Sequence, residues 1–172
     1  MKTEFSLEFF YEQDNDLGFA KAEAQKLRAL VSCLAPHIEL RTKVYKATRI
    51  CTYPLPRNDG RVYKFPTHEP IKEGSQTLVV TNDDIGSEGH AGPDKGCVCK
   101  PRMEQKIQNG GNSAEITIHE WLHIIQGKRI NGREIRNPDN REDPGFIQSC
   151  HKGPDGELQW LDWYRYLLRA DS

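Results

Sequence analysis

Residues 112–127 decide the fold of this chain and read NSAEITIHEWLHIIQG. Asn112, followed three residues later by Glu115, is typical of a helix N-terminus, and Gly127 stands where a helix C-terminus is expected. Apolar residues within the stretch recur at the spacing of one helical face. They are Ile118, Trp121, Leu122 and Ile125. The stretch therefore predicts a helix through residues 114–126 that packs one side against a core.

The other side of this helix carries the motif HExxH, formed by His119, Glu120 and His123. At 100° per residue, the two histidines lie one turn apart on the same side. Two imidazoles placed in this way can bind one zinc ion at about 2.0–2.1 Å. Glu120 adjoins them and can take a proton from an attacking water. The motif predicts His119 and His123 as metal ligands and Glu120 as the catalytic residue.

With these residues the chain resembles the zincin metallopeptidases. The resemblance implies an α+β fold in which a twisted mixed sheet and a backing helix precede the HExxH helix. A small irregular C-terminal lobe that ends in a helix follows. The implied activity is that of a zinc-dependent endopeptidase, which hydrolyses peptide bonds of protein substrates with a water activated by Glu120. The implied cofactor is Zn²⁺.

The predicted elements follow this plan along the chain. Their order is a strand over 4–11, a helix over 17–34, a strand from 38 that continues with a break to 53, a turn at Asn58-Asp59-Gly60, a strand over 61–65, a central strand over 77–81, a surface loop over 82–96, an edge strand over 97–108, the HExxH helix and a last helix over 158–170. We predict one domain, 1–172, with an upper lobe over 1–127 and a lower lobe over 128–172. In zincins the extended substrate pairs with the edge strand.

The third metal ligand is left open by the sequence. Gln126 and Arg129 stand where metzincins have a glycine and their third ligand, so the metzincin pattern is absent. Asp139 is preferred, because a loop of sixteen residues after His123 can turn back beneath the helix. The alternatives are Glu142, Asp143 and His151. Zincins also use a tyrosine, histidine or arginine to stabilise the oxyanion, for which Tyr164 and His90 are the candidates here.

Composition excludes several classes of function. The chain has 172 residues, with 24 Lys and Arg against 25 Asp and Glu. This balance argues against nucleic-acid binding by phosphate neutralisation, and no apolar run is long enough for a membrane-spanning helix. The expected partner is a peptide or protein substrate, with no nucleic acid and no membrane, and the chain is expected to be a monomer.

The five cysteines leave the cellular compartment open. The preferred interpretation is a secreted or exported protein, its leader removed, with one or two disulfides and a free thiol. A cytoplasmic protein with reduced thiols is the alternative. A further alternative is a structural zinc site, for which the candidate ligands are Cys97, Cys99, Cys150 and His151.

The alternative to an enzyme is a catalytically inactive zinc-binding or protein-interaction module that retains the zincin fold.

The three tryptophans all fall at or after residue 121. We predict that part of this aromatic material braces the HExxH helix against the C-terminal helix.

Overall fold

The computed structural model describes residues 2–47, 50–54, 62–66, 75–141 and 160–170. The strands in this part of the chain are β1 (Thr3–Tyr11), β2 (Ile38–Lys46), β3 (Ile50–Pro54), β4 (Val62–Pro66), β5 (Thr77–Thr81), β6 (Gly89–Gly92), β7 (Lys95–Cys99), β8 (Arg129–Ile130) and β9 (Arg133–Glu134). The α-helices are α1 (Leu17–Leu34), α2 (Lys100–Gln108), α3 (Ala114–Ile124) and α4 (Trp160–Leu167). No helix among the described residues is long and apolar enough to cross a membrane.

A five-stranded mixed sheet organises the domain, in the order β2-β1-β5-β7-β6. The neighbours from β2 to β7 run parallel, and β6 is antiparallel to β7 at the edge. The predicted mixed sheet is confirmed, as is the helix over 17–34 that connects β1 to β2. β5 is central as predicted, and all of its residues are buried, which suits a strand covered on both faces.

The core lies between the sheet and the helices α1, α3 and α4. Alternation along the strands sends one set of side chains to this face. That set includes Phe5, Leu7, Phe9, Leu78, Val80 and Val98. The helices add Leu27 and Val31 from α1, most apolar side chains of α3, and Trp163 and Leu167 from α4. The HExxH helix is thus held on a rigid support.

The opposite face of the sheet has a smaller apolar cluster. It consists of Phe10, Ala47, Val79, Ile85, Cys97 and Cys99. The antiparallel hairpin of β3 and β4 contacts β5 and β7. The predicted strand over 38–53 is therefore two elements, since β2 belongs to the main sheet and β3 to the hairpin. The Asn58-Asp59-Gly60 turn lies outside the described residues.

The predicted edge strand over 97–108 is wrong. Residues 97–99 belong to β7, an internal strand, and residues 100–108 form α2. Pro101 stands in the first turn of this helix, where its missing N–H costs nothing. Met103 is the buried residue of α2, so the segment has no apolar stripe that would mark it as helical.

The edge strand next to β7 is β6, which lies within the predicted loop over 82–96. Its four residues include two glycines, which strand propensity disfavours. Pairing with β7 forms the strand despite this composition. In the described part of the predicted lower lobe, β8 and β9 form a hairpin around Asn131 and Gly132, both with positive φ.

The cysteines and tryptophans can be placed in part. Cys33 is exposed near the end of α1 and forms no disulfide, whereas Cys150 lies outside the described residues. Trp160 contributes the predicted contact between α4 and α3, with its ring centroid 5.9 Å from that of His119. Trp121 packs edge-on against Phe5 of the sheet, 5.8 Å between ring centroids.

Candidate metal centre

α3 places the motif residues because both of its ends are fixed. The backbone N–H of Ala114 donates to Oδ1 of Asn112 at 2.9 Å. The Ser113 hydroxyl donates to the buried carboxylate of Glu23, with its oxygen 2.7 and 2.8 Å from the two acceptors. The helix ends at Ile124 rather than at 126, and Gly127 then adopts φ +87°. The predicted apolar stripe is buried throughout.

His119, His123 and Asp139 converge on one point. Nε2 of His119 lies 2.9 Å from Oδ1 of Asp139, and Nε2 of His123 lies 3.1 Å from Oδ2. One ligand atom from each residue lies within 4.8 Å of the others. Two imidazole nitrogens and a carboxylate oxygen at this separation could hold one metal ion. Within the described residues, no other group of three histidine, cysteine or acidic side chains comes together in this way.

Asp139 reaches the histidines because the chain reverses after α3. The N–H of Gly127 donates to the carbonyl of Ile135 at 2.9 Å, and the N–H of Ile135 donates to the carbonyl of Lys128 at 2.8 Å. Ile130 and Ile135 are both buried in the main core. The β8–β9 hairpin is therefore anchored beneath the helix, and the segment that follows it returns to the histidines.

The turn that presents Asp139 is fixed on both sides. The backbone N–H of Asp139 donates to Oδ1 of Asn137 at 2.9 Å, an arrangement typical of asparagine in turns. The carbonyl of Pro138 accepts the indole N–H of Trp163 at 2.6 Å. The side chain of Asp139 itself remains 60% exposed, so the point of convergence is open to solvent.

His119 is held from both ring nitrogens. Nδ1 lies 3.0 Å from the hydroxyl of Tyr164, a residue only 3% exposed. Burial lowers the pKa of His119 below 6.5, against the opposing charge of Asp139. The imidazole is therefore neutral near pH 7, which is the form that binds metal ions. Burial and the charge of Glu115 raise the pKa of Tyr164, so its hydroxyl keeps its proton.

Glu120 is buried beside the two histidines. It is 7% exposed, and it lies against β6 so closely that a Cβ at Gly89 would be 2.8 Å from Cγ of Glu120. Burial, followed by the charges of Asp139 and Glu88, raises the pKa of Glu120 from 4.5 to about 8. A carboxyl with a pKa near neutrality can both accept and return a proton.

Two cavities flank the three candidate ligands along β6. The larger, about 870 Å³, is bordered by His123, by Ala91 and Gly92 of β6, and by the segment from Arg133 to Asn137. The smaller, about 430 Å³, is bordered by His119, Glu120 and Gly89, and by Trp160 and Tyr164 of α4. Both cavities border β6, one at His123 and the other at His119, and together they are called the cleft.

Four other predicted site residues are not part of the group formed by His119, His123 and Asp139 in the described structure. Glu142, Asp143 and His151 lie outside the described residues. His90 is on β6, but its Nε2 lies 3.0 Å from Oγ of Ser87 and 3.1 Å from the carbonyl oxygen of Ile85. It does not border either cavity of the cleft.

Tyr164, the other candidate for stabilising the oxyanion, does lie at the cluster. Its hydroxyl contacts Nδ1 of His119, on the side of the ring opposite the Nε2 that faces Asp139. Cys97 and Cys99 belong to the cluster on the far face of the sheet. Neither is part of the group that contains the two histidines.

Sequence reasoning missed two residues of this site. Gly89 leaves the space that the Glu120 side chain occupies, but it stands in a segment rich in glycine and aspartate that resembles a loop. Trp163 holds the Pro138 carbonyl, but its position in an apolar stripe indicates packing alone. Only the pairing of β6 with β7 and the return of the chain after the hairpin reveal these contacts.

No protein-family model and no curated protein matches the sequence. Among solved structures, the chain is similar to archaemetzincin from Methanopyrus kandleri. The sequence identity is 14% and the TM-score is 0.44, over 94% of this chain and 86% of that chain.

Proposed function

We propose that this protein is a zinc-dependent endopeptidase that hydrolyses peptide bonds of protein substrates. The observation that carries the proposal is the convergence of His119, His123 and Asp139 beside the buried carboxyl of Glu120. The first three would hold the metal and Glu120 would act as the base. Each lies on or directly below a helix that is anchored in the core.

The donor set fits zinc. Ca²⁺ and Mg²⁺ prefer oxygen ligands, whereas two imidazoles and one carboxylate are typical of catalytic zinc sites. Three protein ligands leave a fourth position for water or substrate. The exposed side of Asp139 gives that position access to solvent.

The reaction follows from the chemistry of these side chains. Bound zinc would supply Lewis acidity, which polarises a carbonyl and lowers the pKa of a water to about 7. Glu120 would accept a proton from the water that attacks the scissile carbonyl. The same carboxyl then donates the proton to the leaving amine, which completes the cleavage. The raised pKa of Glu120 favours the step in which it donates a proton, and the positive charge of bound zinc would favour the ionised form that accepts one.

The substrate would bind as an extended chain along β6. This strand ends the sheet, and among the described residues no strand pairs with its outer side. An edge strand is where an extended peptide can add to a sheet. Because Gly89 borders one cavity and Gly92 the other, a peptide on this edge would pass the candidate ligands. β6 therefore takes the role that the sequence assigned to residues 97–108.

The variant Glu120→Gln tests the proposal. Purified wild-type protein and the variant would each be incubated with a proteome-derived peptide library, and new termini identified by mass spectrometry. The wild type should cleave peptides, and the variant should be slower by roughly 10²–10⁴-fold, the usual contribution of a general base. Zinc content, measured on the same samples, should be equal.

The matched control for metal loading is His123→Ala, which should lose both zinc and cleavage. A wild type that binds zinc and cleaves no peptide would support the inactive-module alternative. If Glu120→Gln cleaves peptides as fast as the wild type, the role given to Glu120 is overturned.

A further inference from the structure

Consecutive residues of α4 contact one candidate metal ligand and the residue that precedes another. Tyr164 contacts His119 on α3, and Trp163 contacts the residue before Asp139 in the turn after the hairpin. Both aromatic side chains are buried, Trp163 at 0% and Tyr164 at 3% exposure. One helix that contributes no candidate ligand of its own thus contacts both the element that carries His119 and the turn that carries Asp139.

The contact from Tyr164 selects the ring nitrogen that His119 presents. A histidine that gives Nε2 to a metal must carry its proton on Nδ1. The Tyr164 hydroxyl lies 3.0 Å from Nδ1, and a hydroxyl oxygen can accept that N–H. The same contact fixes the plane of the ring, so that Nε2 points to Asp139.

The contact from Trp163 fixes the backbone that carries Asp139. The carbonyl of Pro138 and the N–H of Asp139 belong to one peptide group. Trp163 donates to the carbonyl at 2.6 Å, and Asn137 accepts from the N–H at 2.9 Å. Because both polar ends of this group are held, rotation of the peptide that would turn Asp139 away from the histidines is opposed.

The position of α4 is itself determined by the core. Leu167 and Leu168 are fully buried. The carbonyl of Leu168 lies 2.6 Å from Nε2 of His37, and that of Leu167 accepts from Arg133 on β9 at 3.0 Å. The helix is therefore fixed relative both to the sheet and to the hairpin that leads to Asp139.

We propose that α4 is an outer support of the metal centre, with Tyr164 a positioning residue for His119 and Trp163 a positioning residue for Asp139. The proposal rests on the proposed function only for the statement that these ligands bind zinc. It assigns to Tyr164 a role in metal affinity in place of one in oxyanion stabilisation.

The first test compares zinc affinity by competition with a chromophoric chelator. Tyr164→Phe keeps the ring and removes the hydroxyl, and Tyr166→Phe removes a hydroxyl from the same helix as the control. Loss of an outer partner of a metal-bound histidine typically weakens affinity by about 10–100-fold. We expect this loss for Tyr164→Phe and a change of less than about twofold for Tyr166→Phe. Equal affinities for the two variants would overturn the role of Tyr164.

The second test asks whether Trp163 acts through Asp139. Trp163→Phe should weaken zinc binding in the wild type but have no further effect in an Asp139→Ala background, since the group it positions is then absent. Tyr164→Phe should weaken binding in both backgrounds. Equal weakening by Trp163→Phe in both backgrounds would indicate general destabilisation and overturn its role.

A surface variant keeps the test decisive should Trp163→Phe fail to fold. Asn137 is exposed, and Asn137→Ala removes the other hydrogen bond to the same peptide group. It should weaken zinc binding in the wild type and not in the Asp139→Ala background. A wild type that binds no zinc would overturn the proposed function and this inference together, whereas a zinc-binding wild type with unaffected variants would overturn this inference alone.

Discussion

Oδ1 of Asp139 lies 2.9 Å from Nε2 of His119, although one residue stands in an exposed turn and the other on a helix. Oδ2 of the same carboxylate lies 3.1 Å from His123. One carboxylate that contacts both histidines of the motif is the arrangement expected of a third metal ligand. Among the described acidic residues, Asp139 is the one that lies in such a group with two histidines.

Alanine at position 139 should therefore abolish tight zinc binding. We expect Asp139→Ala to weaken zinc affinity by more than the roughly 10–100-fold that follows the loss of an outer partner. Glu142→Ala and Asp143→Ala, the controls, should retain wild-type zinc content. Metal analysis of the three purified variants checks this, and loss of zinc from Glu142→Ala or Asp143→Ala with retention in Asp139→Ala would reverse the assignment.

Alanine at position 89 should displace Glu120. The added Cβ would lie 2.8 Å from Cγ of Glu120 and 2.8 Å from the carbonyl oxygen of Cys97, closer than such atoms approach. Because a displacement of about 1 Å can cost 10²-fold in rate, we expect kcat/KM for a cleaved peptide to fall roughly 100-fold in Gly89→Ala, with zinc retained.

The control for this substitution is Gly18→Ala. Gly18 lies on α1, and a Cβ there meets no atom within 4 Å. Full activity and stability that is unchanged or higher by up to about 1 kcal/mol are expected. Full activity in Gly89→Ala would show that the space beside Glu120 is not needed.

A buried ion pair should make stability depend on pH. Asp16 and Lys100 lie 2.9 Å apart with side chains 2% and 16% exposed, and Asn82 donates to the same carboxylate at 2.6 Å. Burial raises the pKa of Asp16, but the hydrogen bonds from Lys100 and Asn82 and the charge of Lys100 outweigh it, so that the pKa is lowered from 3.8. The ionised carboxylate thus contributes stability above pH 3.8, and this contribution is lost as pH falls through the lower folded value.

Asp16→Asn should consequently lose about 3–5 kcal/mol of unfolding free energy at neutral pH, as is usual when one partner of a buried pair is removed. Its difference from the wild type should shrink below pH 3.8. Asp14→Asn is the matched control from the same turn, since Asp14 is 87% exposed where it contacts Lys46 and should show little change. Denaturant titrations from pH 7 to pH 2.5 measure both, and a pH-independent difference for Asp16→Asn would contradict the account.

The sequence predicted the helices and strands in which apolar residues recur regularly along the whole element. α1 shows five buried apolar positions in helical register, and β1 alternates along most of its length. The stripe and the terminal glycine of α3 marked that helix in the same way. Local signals were sufficient here because each of these elements buries a continuous face against the core.

The remaining elements depend on tertiary contacts. α2 has one buried side chain, and β6 is formed from glycine, histidine and alanine, so neither carries a periodic pattern. At the site, the motif predicted where His119, Glu120 and His123 lie on one helix. The position of Asp139 depends on how the hairpin packs, which the sequence does not reveal. The sequence therefore left four candidates for the third ligand. The contacts of Trp163 and Tyr164 link segments separated by tens of residues, which one sequence does not reveal.

Zinc K-edge X-ray absorption on the purified wild-type protein would measure whether His119, His123 and Asp139 hold one zinc ion. We predict one zinc per chain with a nitrogen and oxygen shell at about 2.0–2.2 Å. A sulfur shell at about 2.3 Å would instead indicate cysteine ligands such as Cys97 and Cys99. That result, or protein without stoichiometric zinc after purification and zinc addition, would contradict the account.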